Sequence, residues 1–180
     1  MFGYTRFQYL NYFCILLLAF LMAAFQGTFW FQVFGPVPPP LLWLNVILYL
    51  CLFRKPYEAI LLAYVIAFLI KSFTAFPLGY MWLNLLIAGS IVIYIKNRFF
   101  WPGPRYYFFS GLGFSLLYEI ISLLLNAVFD SHSMPIQFFM RLAEVLFTTL
   151  TAIPVIVFMT QLDRWTITDQ FTEKSEGDAP

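Results

Sequence analysis

Long apolar runs, broken by short polar or proline-rich stretches, make up almost the whole chain. The first covers residues 7–34 and closes on Phe29, Trp30 and Phe31, an aromatic girdle of the kind found where a membrane helix meets its interface. It is long enough to cross a bilayer once with tilt. Residues 35–40, GPVPPP, cannot be helix, because proline lacks the backbone donor and its ring clashes with the preceding turn. The second run, residues 38–53, stops at Arg54-Lys55-Pro56. It is short for a crossing and needs its proline-rich lead-in or a thinned bilayer. The third spans residues 57–76, and Pro77-Leu78-Gly79 turns the chain into the fourth, residues 79–95. A basic, proline-containing loop follows, with Lys96, Arg98, Pro102, Pro104 and Arg105. The fifth run is residues 106–129, Asp130-Ser131-His132-Ser133 is a polar turn, and the sixth is residues 135–160. The pattern predicts an all-α polytopic membrane protein. A single transmembrane domain over residues 1–165 would hold a bundle of six helices, and residues 166–180 would be a disordered polar tail.

Composition agrees. The chain is 62% hydrophobic with a mean hydropathy of +0.80, and 11% of its residues are charged, against about 25% in a soluble domain. A net charge of +1 and the lack of a basic patch give no reason to expect nucleic acid. Cys14 and Cys51 lie inside apolar runs, far from the one histidine, and read as small buried hydrophobes rather than metal ligands. Arg6 precedes the first run but no small-residue cleavage site follows, so that run reads as a retained span.

The basic residues sort by loop. Arg6, Arg54 and Lys55, then Lys96, Arg98 and Arg105, then Arg164 and Lys174, all fall on one side of a six-span layout. The connections at residues 35–40, 76–79 and 130–135 carry no lysine or arginine. Cytoplasmic loops are the ones enriched in these residues, so both termini are expected in the cytoplasm. Five or seven spans would scramble the sorting.

Four ionisable residues fall well inside the spans: Lys71, Glu119, Arg141 and Glu144. Lys71 and Glu119 come fourteen and thirteen residues after the cytoplasmic starts of spans three and five, about 20 Å deep at the helical rise. Arg141 and Glu144 follow Pro135 by six and nine residues in the oppositely directed sixth span. All four therefore share the outer half of the membrane. Glu58, beside Arg54 and Lys55, reads as an interfacial charge. Arg141 and Glu144 are spaced to pair along one helix, which leaves Glu119 to partner Lys71. Lys71 has a further option, snorkelling to the nearby interface. Taken together the four either tie spans three, five and six internally, or form a polar face open to the outside that receives a partner helix or a ligand. Small residues at Ala59, Ala63 and Ala67, at Ala88 and Gly89, and at Gly111 and Ser115 mark close helix contacts, chiefly internal ones. Pro77 and Gly79 are expected to form a structural corner.

No catalytic constellation is present. His132 sits in a polar loop, and the chain has no phosphate-binding glycine loop, nucleophile elbow or metal-ligand cluster. No enzymatic activity, cofactor or metal is expected. The halves show no self-similarity of the kind that marks an inverted-repeat transporter.

A proline-rich outer loop leading into the second span (residues 38–42), Arg-Lys-Pro at its end (54–56) and a third span closing on Pro-Leu-Gly (77–79) together resemble the bacterial rod shape-determining protein MreD family. The size, the six-span layout and a proline late in the last span, Pro154, are also similar, and the likeness covers roughly residues 10–165. The sequence departs from that pattern in the third span. Ala63 and Ala67 stand where the family has glycines, and Lys71 stands where it has an acidic residue. The resemblance implies a non-enzymatic subunit of the cell-elongation machinery in the inner membrane. Its implied partners are an MreC-like single-span periplasmic protein, a RodA-type glycosyltransferase, a class B penicillin-binding protein, MreB-like filaments and the lipid bilayer. The layout is also similar to the substrate-binding subunit of an energy-coupling-factor vitamin transporter, in which the outer-half charges would contact a ligand.

Overall fold

The computed structural model describes residues 2–74, 77–99, 103–129 and 138–167. Among these every regular element is helical. Helix α1 begins as Phe2–Ala24, passes through a π turn at Phe25–Phe29 and continues as Trp30–Phe34. It stops at Gly35, whose φ of 59° lies in the left-handed region that favours glycine, and Pro36 prevents resumption. Only one stripe of α1 faces the bundle: Asn11, Ile15, Ala19 and Ala23, four residues apart and all buried.

Helix α2 is Leu42–Phe53. The expected start at residue 38 moves to Leu42, because each proline of the Pro38-Pro39-Pro40 run biases the residue before it away from helical backbone. Twelve residues reach about 18 Å, well short of a hydrocarbon core of about 30 Å. Every residue from Trp43 to Leu52 is buried, and α2 touches all five other helices. An uncharged helix that is apolar on all sides belongs inside other helices, and here it forms the bundle's centre.

The remaining helices are longer. Helix α3 is Pro56–Ile70, with proline at its first turn where the missing donor costs nothing. A 3₁₀ turn, Lys71–Phe73, completes it. Helix α4 is Leu78–Phe99, α5 is Pro104–Phe129 and α6 is Phe138–Ile167. Five of the six helices are long and apolar enough to cross a membrane, and α2 is the exception. The corner expected at Pro77 and Gly79 is built differently. The Pro77 carbonyl accepts the first backbone bonds of α4, from Tyr80 and Met81, and Gly79 already lies in that helix without a positive φ. Helix α6 runs past residue 160 to Ile167 because Thr160 and Thr166 turn their hydroxyls back onto the carbonyls of Ile156 and Leu162 at 2.8 Å. Their polar side chains therefore do not break the helix. His132 and residues 168–180 lie outside the described residues.

Small residues set the spacing, as expected. A Cβ added at Gly111 on α5 would come within 2.6 Å of the Ala152 Cβ on α6, and the Ser115 and Thr149 hydroxyls lie 3.4 Å apart one turn away. Ala59, Ala63 and Ala67 are all buried on α3. Gly89 on α4 lets the Cys51 sulfur approach, 3.5 Å from where its Cβ would be.

Candidate functional site

Two polar clusters interrupt this apolar bundle, one at each end. The first gathers at the C-terminus of α2. Arg54 Nη2 donates to Asp163 Oδ1 of α6 at 2.8 Å and to Asn11 Oδ1 of α1 at 2.7 Å. Asn11 Nδ2 donates to the same Asp163 oxygen at 2.8 Å and to Thr166 Oγ1 at 2.6 Å. The Tyr49 hydroxyl donates to the other Asp163 oxygen. One carboxylate thus binds three helices together. The Arg54 guanidinium also stands 6.0 Å from the Tyr12 ring centre, and its Nε is buried without a hydrogen-bond partner among the described residues. Lys96 of α4 caps the end of α2, its ammonium 3.3 Å from the Cys51 carbonyl and 3.4 Å from that of Arg54. A cation there meets the negative end of the helix dipole.

A seam of polar contacts runs from this cluster along α2. The Leu41 amide donates to Thr148 Oγ1 at 2.9 Å, and Asn45 Nδ2 donates to the Thr148 carbonyl at 2.9 Å and to Thr151 Oγ1 at 3.1 Å. Leu41, Asn45 and Tyr49 are spaced by four, so they share one face, and that face is zipped to α6.

The second cluster holds three of the four ionisable residues expected from the sequence, Glu119, Arg141 and Glu144, in a different pairing. Arg141 Nη1 donates to Glu119 Oε2 at 2.5 Å, joining α6 to α5. The expected Lys71–Glu119 pair is therefore not formed. Lys71 sits at the C-terminal turn of α3, and its ammonium is 3.5 Å from the Thr74 carbonyl, where a cation complements the last carbonyls of a helix. The expected Arg141–Glu144 pair along α6 is also replaced. The close approach at Gly111 and Ala152 draws α5 and α6 together, and the long arginine reaches across instead of along. Glu144 is partly buried beside Glu119 and Arg141, and its carbonyl accepts from Thr148 Oγ1 at 2.7 Å. It thus stands one turn above the N-terminus of α2, the positive end of that helix's dipole. Nearby, Asn84 of α4 is fully buried and donates to Ser122 Oγ at 2.7 Å and to the Tyr118 carbonyl at 3.2 Å.

Asn11, Asn45, Tyr49 and Asp163 are the polar residues that reading the sequence did not pick out. A lone asparagine inside an apolar run, followed four residues later by a tyrosine, was the available signal at 45 and 49.

The arrangement holds helices to one another. Among the described residues no group of histidine, cysteine and carboxylate side chains could hold a metal. A shallow apolar crevice lies between α2, α3 and α4, lined by Ile47, Cys51, Ala59, Ala63, Leu85 and Gly89 among others. Five apolar helices of membrane-spanning length around a buried sixth define a multi-pass membrane protein. No family model, curated protein or solved structure matches the chain.

Proposed function

We propose that this chain is a non-enzymatic, MreD-like subunit of the bacterial cell-elongation machinery. It sits in the cytoplasmic membrane with both termini inside, binds an MreC-like single-span protein, and helps couple MreB-like filaments to the RodA-type and class B penicillin-binding synthases. The observation that supports this over a ligand-carrying subunit is the filled centre. Helix α2, buried along ten consecutive residues, occupies the axis that a carrier would keep open for its substrate. A protein with a packed centre and two inter-helix clamps is suited to presenting surfaces to other proteins.

Two measurements test the reading together. Depletion in the native rod-shaped cell should convert rods to spheres, and the tagged chain in mild detergent should co-purify with the MreC-like protein. Retention of rod shape on depletion, with an ATPase pair and a coupling subunit recovered instead, would overturn the proposal in favour of a vitamin transporter.

A further inference from the structure

The basic residues at the Arg54 end divide into two sets. Arg54 turns inward to Asp163 and Asn11, and Lys96 turns back onto the carbonyls that end α2. Lys55, Arg98, Arg105 and Arg164 are exposed. Among the described residues the ion pairs are Arg54–Asp163 and Glu119–Arg141, so none of these four has a carboxylate partner. Among the described residues the carboxylates at this end are Asp163, paired with Arg54, and Glu58, which accepts from the Tyr57 hydroxyl at 3.0 Å.

The four come from separate helix ends, yet they share one end of the molecule. Lys96 reaches the Arg54 carbonyl, and the Phe53 ring packs edge-on against Tyr107 with centres 6.0 Å apart. Exposed aromatics accompany them. Tyr57 is 65% exposed, Tyr94 is 63% exposed and Trp165 is 69% exposed, and the Arg98 guanidinium lies 5.6 Å from the Tyr94 ring centre. Amphipathic rings at the end of a membrane helix settle at headgroup level, which places the neighbouring cations at the level of lipid phosphates. A protein partner needs one contiguous patch. Lipids can serve scattered cations one at a time.

We propose that Lys55, Arg98, Arg105 and Arg164 form a binding surface for anionic phospholipid headgroups, distinct from the inward cations that hold the bundle. The inference does not depend on the cell-elongation reading.

The test uses the full-length chain in mild detergent, offered phosphatidylglycerol and phosphatidylcholine with the same acyl chains. Native mass spectrometry counts the lipids retained. The wild type should retain phosphatidylglycerol about fivefold over phosphatidylcholine, since each lipid meets one cation and a cation near an anionic headgroup contributes roughly fivefold at low salt. The variant K55Q/R98Q/R105Q/R164Q should bring that ratio to within about twofold of unity, while Lys96→Gln should leave it unchanged. If the fourfold variant does not fold, R98Q/R105Q and K55Q/R164Q should each lower the ratio. No preference in the wild type would assign these cations to another partner, such as an acidic protein surface, and would overturn the proposal. So would a preference that survives both double variants, or one that is lost in Lys96→Gln.

Discussion

The Arg54–Asp163 cluster and the Glu119–Arg141 pair lie toward opposite ends of the same helix, α6, and hold the molecule in different ways. At the first, one carboxylate receives donors from three side chains, and α1, α2 and α6 meet on it. The second joins α5 to α6 through a single ion pair at 2.5 Å, backed by a contact of small residues that would bring those helices together without it. The first is also drier at its basic member, with the Arg54 side chain 15% exposed against 30% for Arg141. A charge at the edge of an apolar run can thus be buried and structurally central, while a charge in the middle of a run can be half-open and locally backed.

Three experiments sharpen that contrast. Asp163→Ala should have the largest effect. It leaves a largely buried arginine without its counter-charge and takes an acceptor from Asn11 and Tyr49, for a loss of about 3 kcal/mol, the lower end for breaking a buried pair because both partners keep some solvent. Thermal unfolding in detergent should show it as a pronounced fall in midpoint, and an unchanged midpoint would mean that the cluster does not hold the helices. Reversing the second pair is milder. Glu119→Arg and Arg141→Glu should each cost about 1–2 kcal/mol, and the double reversal should recover most of it. A double variant no better than the sum of the singles would show that the two side chains do not interact. Lys71→Met should shift stability by less than about 0.5 kcal/mol. A loss as large as that of Glu119→Arg would give Lys71 the carboxylate partner that the structure assigns to Arg141.

Much of the fold could be read from the sequence. The apolar runs correspond to six helices, with boundaries displaced by a few residues where proline or threonine decides the local backbone. Gly111 and Ser115 do mark a tight helix contact. What periodicity could not reveal was that the second run, short and apolar on all sides, is enclosed by the others instead of standing in the ring with them. Of the second cluster, Glu119, Arg141 and Glu144 were legible in the sequence but their pairing was not, and the first cluster was not legible at all. Lys71, Glu119, Arg141 and Glu144 stand out as charges among apolar residues, but their depth along a helix does not say which way each side chain points. That direction follows from how closely α5 and α6 pack. Arg54 and Asp163 sit beside polar neighbours, so the sequence gives them the look of loop and tail residues. Their burial depends on α1 and α6 closing over the end of α2.

The shortness of α2 has a consequence for biosynthesis. A segment of twelve residues is too brief to lodge alone as a spanning helix, and the partners of its polar atoms, Thr148, Thr151 and Asp163, belong to α6, which is made after the other five helices. Until α6 arrives, Asn45 and Tyr49 lack the partners that replace water, and Arg54 has Asn11 but no carboxylate. The centre of the bundle is therefore completed only when α6 packs against it. A chain cut short before α6 would present Asn45 and Tyr49 unmatched and Arg54 without its carboxylate, a mark by which membrane quality control can tell an unfinished copy from a finished one.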